Sequence, residues 1–133
     1  MNTYGAKTYG SGVMGPNGRP LPFSSAIEVD DLVYLSGQLA LRDGKVDGDI
    51  GQQTDLIFDN IEAVLTSAGL TLDNVVKASI WITDPADFAA FNTTYAARLT
   101  APYPTRSCVV SQLVIPGARV EIEVVASRRH RRT

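Results

Sequence analysis

Val75-Val76-Lys77-Ala78-Ser79-Ile80-Trp81-Ile82-Thr83 runs without a break into Asp84-Pro85. A stretch rich in β-branched and aromatic side chains, apolar at every second position, predicts a strand. Val76, Ala78, Ile80 and Ile82 share one face; Lys77, Ser79 and Trp81 share the other. Asp84 then offers an N-cap, and Pro85 sits where a helix has no use for an N–H. The helix that follows carries Phe88, Phe91, Tyr95 and Leu99 as an apolar stripe read as core, and Pro102 and Pro104 stop it.

Upstream, Asp49 with Gln52 three residues on reads as a capping box. Ile57, Ile61, Val64, Leu65 and Ala68 then fall on one helical face, and Gly69 ends it. Before that helix, Ala26–Val29 and Leu32–Leu35 are strand-like, with Asp30-Asp31 as a tight turn. Ser36-Gly37-Gln38 interrupts the second strand, and a glycine there signals a bulge or a close backbone approach. Leu39-Ala40-Leu41 is expected to resume it, and Asp43-Gly44 is a second hairpin signal. Downstream, Thr105–Ile115 and Ala118–Ala126 read as a final hairpin closed by Pro116-Gly117. The order predicts an α+β fold, one sheet with two helices on one face. Val109 beside Val110 and Val124 beside Val125 leave apolar residues on both sides of that sheet, which a homo-oligomer would cover.

The chain has 133 residues, 44% of them hydrophobic and 20% charged, which suits a single globular domain over 1–133. Met1 to Pro20 is a Gly-rich lead without the apolar core of a signal peptide. Net charge is −2, but Arg128, Arg129, Arg131 and Arg132 hold a third of the basic residues. The body before them is therefore acidic and a poor partner for nucleic acid. The basic tail, 128–133, reads as a frayed terminus. With one cysteine and one histidine, a zinc site or a Cys-His engine is not expected. No apolar run is long enough to cross a membrane. These features predict a cytoplasmic protein without metal or cofactor.

Period two places Arg106 and Cys108 on one face of their strand, and Arg119, Glu121 and Glu123 on one face of the next. If Pro116-Gly117 pairs those strands, Arg106 or Cys108 lies near Glu121. Arg106 then has two readings: an ion pair with Glu121 at a sheet edge or subunit interface, or a planar fork for a substrate carboxylate. Cys108, with no histidine near, is read as a small buried hydrophobe. Ser36 and Gly37 either form a plain bulge or present backbone donors to a ligand. Asn92, breaking the apolar face of its helix, either bonds locally or reaches a site.

Leu32-Val33-Tyr34-Leu35-Ser36-Gly37-Gln38, Val75-Val76-Lys77, Asp87-Phe88 with Asn92 and Tyr95, Pro104-Thr105-Arg106-Ser107-Cys108 and Val120-Glu121-Ile122-Glu123 together resemble the RidA/YjgF/UK114 (Rid) family, from about Pro22 to Ala126. The resemblance implies a chorismate-mutase-like mixed sheet, a homotrimer with sheets around a central barrel, and active sites in clefts between subunits. It implies hydrolysis of reactive enamines and imines, of the 2-aminoacrylate/2-iminopropionate type, to 2-keto acids and ammonia without a cofactor. Arg106 then matches the carboxylate clamp and Glu121 the glutamate that orients water. Cys108 matches a position whose backbone meets the imine end, Ser36 and Gly37 the cleft-lining bulge, and Asn92 a site-adjacent asparagine.

One departure stands out: the family's Gly-Pro-Tyr is here Leu21-Pro22-Phe23, so Phe23 keeps the ring and loses the hydroxyl. Loss of a polar partner shifts specificity. A larger enamine acid such as 2-aminomuconate is therefore an alternative substrate, and a non-catalytic carboxylate-binding trimer is an alternative function. A ribonuclease role fits poorly with an acidic body and no catalytic histidine.

Overall fold

The computed structural model describes residues 6–10 and 12–130, so Met1–Gly5 of the Gly-rich lead and Arg131–Thr133 of the tail lie outside the described residues. Ten regular elements are used below: β1 (Lys7–Tyr9), β2 (Ala26–Val29), β3 (Leu32–Leu35), β4 (Leu41–Arg42), β5 (Lys45–Val46), α1 (Ile50–Ser67), β6 (Val75–Ile82), α2 (Phe88–Arg98), β7 (Thr105–Val110) and β8 (Val120–Ser127). Six strands form one sheet in the order β1-β2-β3-β8-β6-β7, and β4-β5 form a separate ribbon.

The sheet is built outward from β6. It pairs antiparallel with β8, Ile80 opposite Ile122, and parallel with β7, Ile80 opposite Cys108. A parallel pair needs a crossover, and α2 supplies it. The final hairpin expected at Pro116-Gly117 therefore does not form: β7 and β8 flank β6 on opposite sides. The segment 111–119 is too long for a tight hairpin and instead rounds the end of β6. There the Ser111 N–H donates to the Ile82 carbonyl (2.9 Å) and the Thr83 N–H to the Arg119 carbonyl (3.0 Å). The outer edge of β7 has no strand partner among the described residues.

Both predicted tight turns are present. Asp30 and Asp31 adopt φ of 52° and 67°, joining β2 to β3, and Asp43-Gly44 (53° and 76°) joins β4 to β5. Leu39–Leu41 does not resume β3. After the bulge only Gln38 bridges to Ile122, and the chain leaves the sheet for the ribbon.

One face of the sheet is the core. Val33 and Leu35, Val120, Ile122, Val124 and Ala126, and Ala78, Ile80 and Ile82 are buried there. α1 covers them with Ile57, Phe58, Ile61 and Leu65, which are at most 1% exposed. Its capping box forms as expected: the Gln52 N–H donates to Asp49 Oδ1 (2.8 Å) and the Asp49 N–H to Gln52 Oε1 (2.9 Å). Two details differ. A bulge between Val75 and Lys77 turns Val75, not Val76, into the core. Asp84 caps a short 3-10 turn, Pro85–Asp87, ahead of α2, and buried Asp87 there receives two hydrogen bonds from Arg119 (2.9 and 3.0 Å).

The start of the tail is docked rather than frayed. Arg128 donates twice to Glu28 (2.8 and 3.0 Å) and Arg129 to Asp31 (2.9 Å). Asn74 Nδ2 donates to the carbonyls of Ser127 and His130. The Arg128 guanidinium and the Tyr9 hydroxyl hold the Glu28 carboxyl down at about 2. No helix among the described residues is long and apolar enough to cross a membrane.

Gly117 sits at φ 85°, and an added Cβ would come 2.6 Å from the Val46 carbonyl oxygen. Its own carbonyl accepts from buried Gln53 (3.0 Å), so the turn has no room to relax. Gly117→Ala is expected to cost about 2 kcal/mol, read as a lower urea midpoint at unchanged slope.

Candidate functional site

Arg106 lies opposite Ala78, whose side chain is core, so it projects from the helix-covered face at the outer edge of the sheet. α2 runs beside it. Residues 88, 91, 92 and 95 share one helical face by their spacing. The guanidinium carbon stands 5.0 Å from the Tyr95 ring centroid, 5.6 Å from that of Phe88 and 5.9 Å from that of Phe91. Its Nη1 donates to Asn92 Oδ1 at 2.8 Å. Aromatic faces and one neutral amide orient the fork without neutralising it. No carboxylate pairs with Arg106 among the described residues. Asn92, Tyr95, Tyr103, Pro104 and Arg106 line a cleft of about 320 Å³.

Cys108 is two residues further on and half-buried. Burial pushes its thiol up, and the nearby Arg106 charge opposes this less strongly. A protonated thiol is a poor nucleophile, in line with its reading as an inert side chain.

Glu121 is on the other face. It lies opposite Trp81, one residue out of phase with the core row Val120, Ile122, Val124. Burial and then the like charge of Glu123 push its carboxyl above the ordinary glutamate value. The bulge at Ser36-Gly37 packs against it. A Cβ on Gly37 would overlap Glu121 Oε2, so the carboxylate as placed lies against bare backbone. Ser36 holds the bulge: its N–H donates to the Ser25 carbonyl (3.0 Å) and its Oγ to the Ser24 carbonyl (2.6 Å). Phe23, Ser36, Gly37 and Glu121 all line a cavity of about 590 Å³.

The predicted residues therefore form two groups. Arg106, Asn92 and Cys108 lie at the β7 edge on the helix side; Phe23, Ser36, Gly37 and Glu121 lie on the open side. Two strand spacings, about 10 Å, and the thickness of the sheet separate them. The Arg106–Glu121 ion pair does not form within the chain.

Some lining residues were not singled out from sequence. Tyr103 borders the Arg106 cleft, and its place before Pro104-Thr105-Arg106 was the available signal. Phe88, read as core, is 40% exposed beneath Arg106. Val13 and Asn60 line the Glu121 cavity without any local pattern to announce them, and Leu21 joins them from the Leu21-Pro22-Phe23 departure.

The profile of the family described as Endoribonuclease L-PSP matches residues 18–128, most of the chain and both groups of residues. The chain belongs to this Rid/YjgF family. Among Rid relatives, "Protein mmf1, mitochondrial" of Schizosaccharomyces pombe is 40% identical, over 79% of this chain and 67% of its own length. The "2-iminobutanoate/2-iminopropanoate deaminase" of Escherichia coli K12 is 33% identical, over 81% of this chain and 88% of its own. A crystal structure of "E. coli TdcF with bound serine" superposes with a TM-score of 0.79 at 29% identity, covering 92% of this chain and 98% of that one. The α+β fold of this Rid chain, with two helices and a mostly antiparallel sheet, is thus that of solved members.

Proposed function

We propose that the protein is an imine deaminase, hydrolysing 2-imino and 2-enamino acids to 2-keto acids and ammonium. The observation that carries this reading is an aromatic-backed arginine with no carboxylate partner among the described residues, in a chain that also holds a half-buried glutamate against a bare glycine backbone. Deaminases among the chain's relatives support it.

The reaction asks little of the protein, because a protonated imine is already electrophilic. Arg106 binds the substrate carboxylate through two N–H bonds. A water held by Glu121 adds its oxygen to the imine carbon, and the C=N π electrons move to nitrogen. Glu121 takes a proton from that water and passes one to the nitrogen. The C–N bond breaks, the hydroxyl proton completes ammonium, and the keto acid leaves. Nothing is oxidised or reduced. A carboxyl raised above its ordinary value suits both halves of this transfer.

Arg106 and Glu121 of one chain lie too far apart to meet one small acid, so the working site pairs Arg106 of one copy with Glu121 of another. A homotrimer with clefts between subunits provides that pairing, and the exposed apolar residues Tyr34, Val109 and Val110 are candidates for its buried surfaces. Nuclease chemistry is disfavoured because Glu121 and Glu123 on the open face repel phosphate.

The test is turnover of an imine generated in situ by an amino-acid oxidase and trapped with semicarbazide. Loss of trapped product with protein present supports the reading; no difference from a blank, with folded protein, overturns it. The acid limb of kcat/KM is expected above the ordinary glutamate range. Glu123→Gln removes a like charge, lowers the Glu121 pKa and moves that limb to lower pH; a limb that stays put would assign it to another group.

A further inference from the structure

The cavity over Glu121 has more apolar wall than a two-carbon side chain needs. Val13, Leu21, Phe23, Leu39, Val114 and Ile115 surround it. Val13 and Leu21 are each 39% exposed, Leu41 40%, Phe23 46% and Val114 87%, so five apolar side chains stand open around one recess. Such clustering marks a binding surface rather than stray exposure. At about 590 Å³ the recess lies within the range of small-molecule pockets, about 300–1,000 Å³.

Val13 comes from the Gly-rich lead and Leu21 follows directly after it, and the stretch 13–21 is organised. The Leu21 N–H donates to the Val13 carbonyl (2.8 Å), the Gly15 N–H to the Arg19 carbonyl (2.7 Å), and Met14 bridges to Pro20. A closed loop thus holds Val13 and Leu21 side by side on the cavity wall. Three of the nearby polar side chains are turned to backbone carbonyls: Asn60 Nδ2 donates to that of Leu39 (3.2 Å), Ser36 Oγ to that of Ser24 (2.6 Å) and Gln38 Nε2 to that of Ser36 (3.3 Å). Phe23 adds a ring with no hydroxyl. The recess therefore has an apolar wall, with Glu121 as its one ionisable group.

We infer that this recess takes the side chain of the substrate, and that the preferred substrates are 2-imino acids with a branched or aromatic apolar side chain. The inference rests on the deaminase reading above. With the carboxylate on Arg106 of a second copy and the imine carbon at Glu121, the side chain is the part left to enter the recess. A partner segment filling it would shut Glu121 off from the water it activates. Val13 and Leu21 are then specificity-determining residues, acting on the side chain and not on the reacting bond.

The experiment compares imines generated from L-alanine and L-leucine, for wild type, Leu21→Ser and Val13→Ser, with thermal melting to check each fold. The kcat/KM ratio of the leucine-derived over the alanine-derived imine is expected to be about tenfold or more in wild type. It is expected to fall about tenfold in Leu21→Ser, with Val13→Ser a second reading of the same wall. Equal turnover of both imines by wild type, or a ratio that both variants leave unchanged, overturns this inference and leaves the deaminase reading standing. Turnover of neither imine overturns both.

Discussion

Arg106→Ala is expected to lower kcat/KM for any 2-imino acid by about 100-fold or more while leaving the fold intact. Two charge-assisted hydrogen bonds to a carboxylate are at stake, each worth about 1.5–3 kcal/mol. The side chain is exposed at a sheet edge, and what it gives up inside the chain is one bond to Asn92 and its stacking on the α2 rings. That loss is worth about 1 kcal/mol. Arg106→Lys is expected to recover only part of the activity, because an ammonium restores charge but not the two-pronged geometry or the fit over Tyr95. Steady-state kinetics beside thermal melting checks this. Full activity in the alanine variant would remove Arg106 from the site.

Gly37→Ala is expected to give a folded protein that is almost inactive. The added methyl would overlap Glu121 Oε2 and stand 3.1 Å from Cδ. These atoms end a flexible side chain, so the carboxylate swings aside at small cost in stability. Displacing a catalytic group by about 1 Å costs on the order of 100-fold in rate. The same substitution placed on Glu121→Ala is expected to cost little further, since the two act through one group. A Gly37→Ala enzyme with normal kinetics would sink the assignment of Glu121. The two inactive variants also test the shared site. In the proposed trimer the Arg106→Ala and Gly37→Ala lesions fall on different sides of each cleft, so co-expressed chains in random mixtures are expected to regain about a quarter of wild-type activity. Mixtures that stay inactive would argue that one chain supplies both groups.

What could be read from sequence was what local chemistry decides. Gly37 signals a close approach by its place in the strand, although Glu121, which makes it, comes from β8; the Asp49–Gln52 box and the positive φ at Asp30, Asp31 and Gly44 each depend on a few adjacent residues. The order of strands does not. Nothing near Pro116-Gly117 distinguishes a hairpin from a passage around β6; the crossover through α2 decides it, and only tertiary pairing puts Arg106 and Glu121 on opposite faces. The bulge that exchanges Val75 for Val76 shifts the phase of an otherwise regular alternation. The tail looked frayed because its partners, Glu28 and Asp31, are about a hundred residues away. The place of Val13 in the cavity wall was hidden by a stretch where glycine and proline erase periodicity.

The rim of β7, unpaired among the described residues, has a consequence for the life of a newly made chain. Six residues of edge strand carry neighbouring valines, Val109 and Val110, that are 49% and 55% exposed. An unpaired strand rim with apolar flanks is a template for indiscriminate stacking. Pro102 and Pro104 just before it, and Arg106 within it, act as gatekeepers against such growth. In the trimer proposed above, covering that rim would protect the solubility of the chain as well as complete its site.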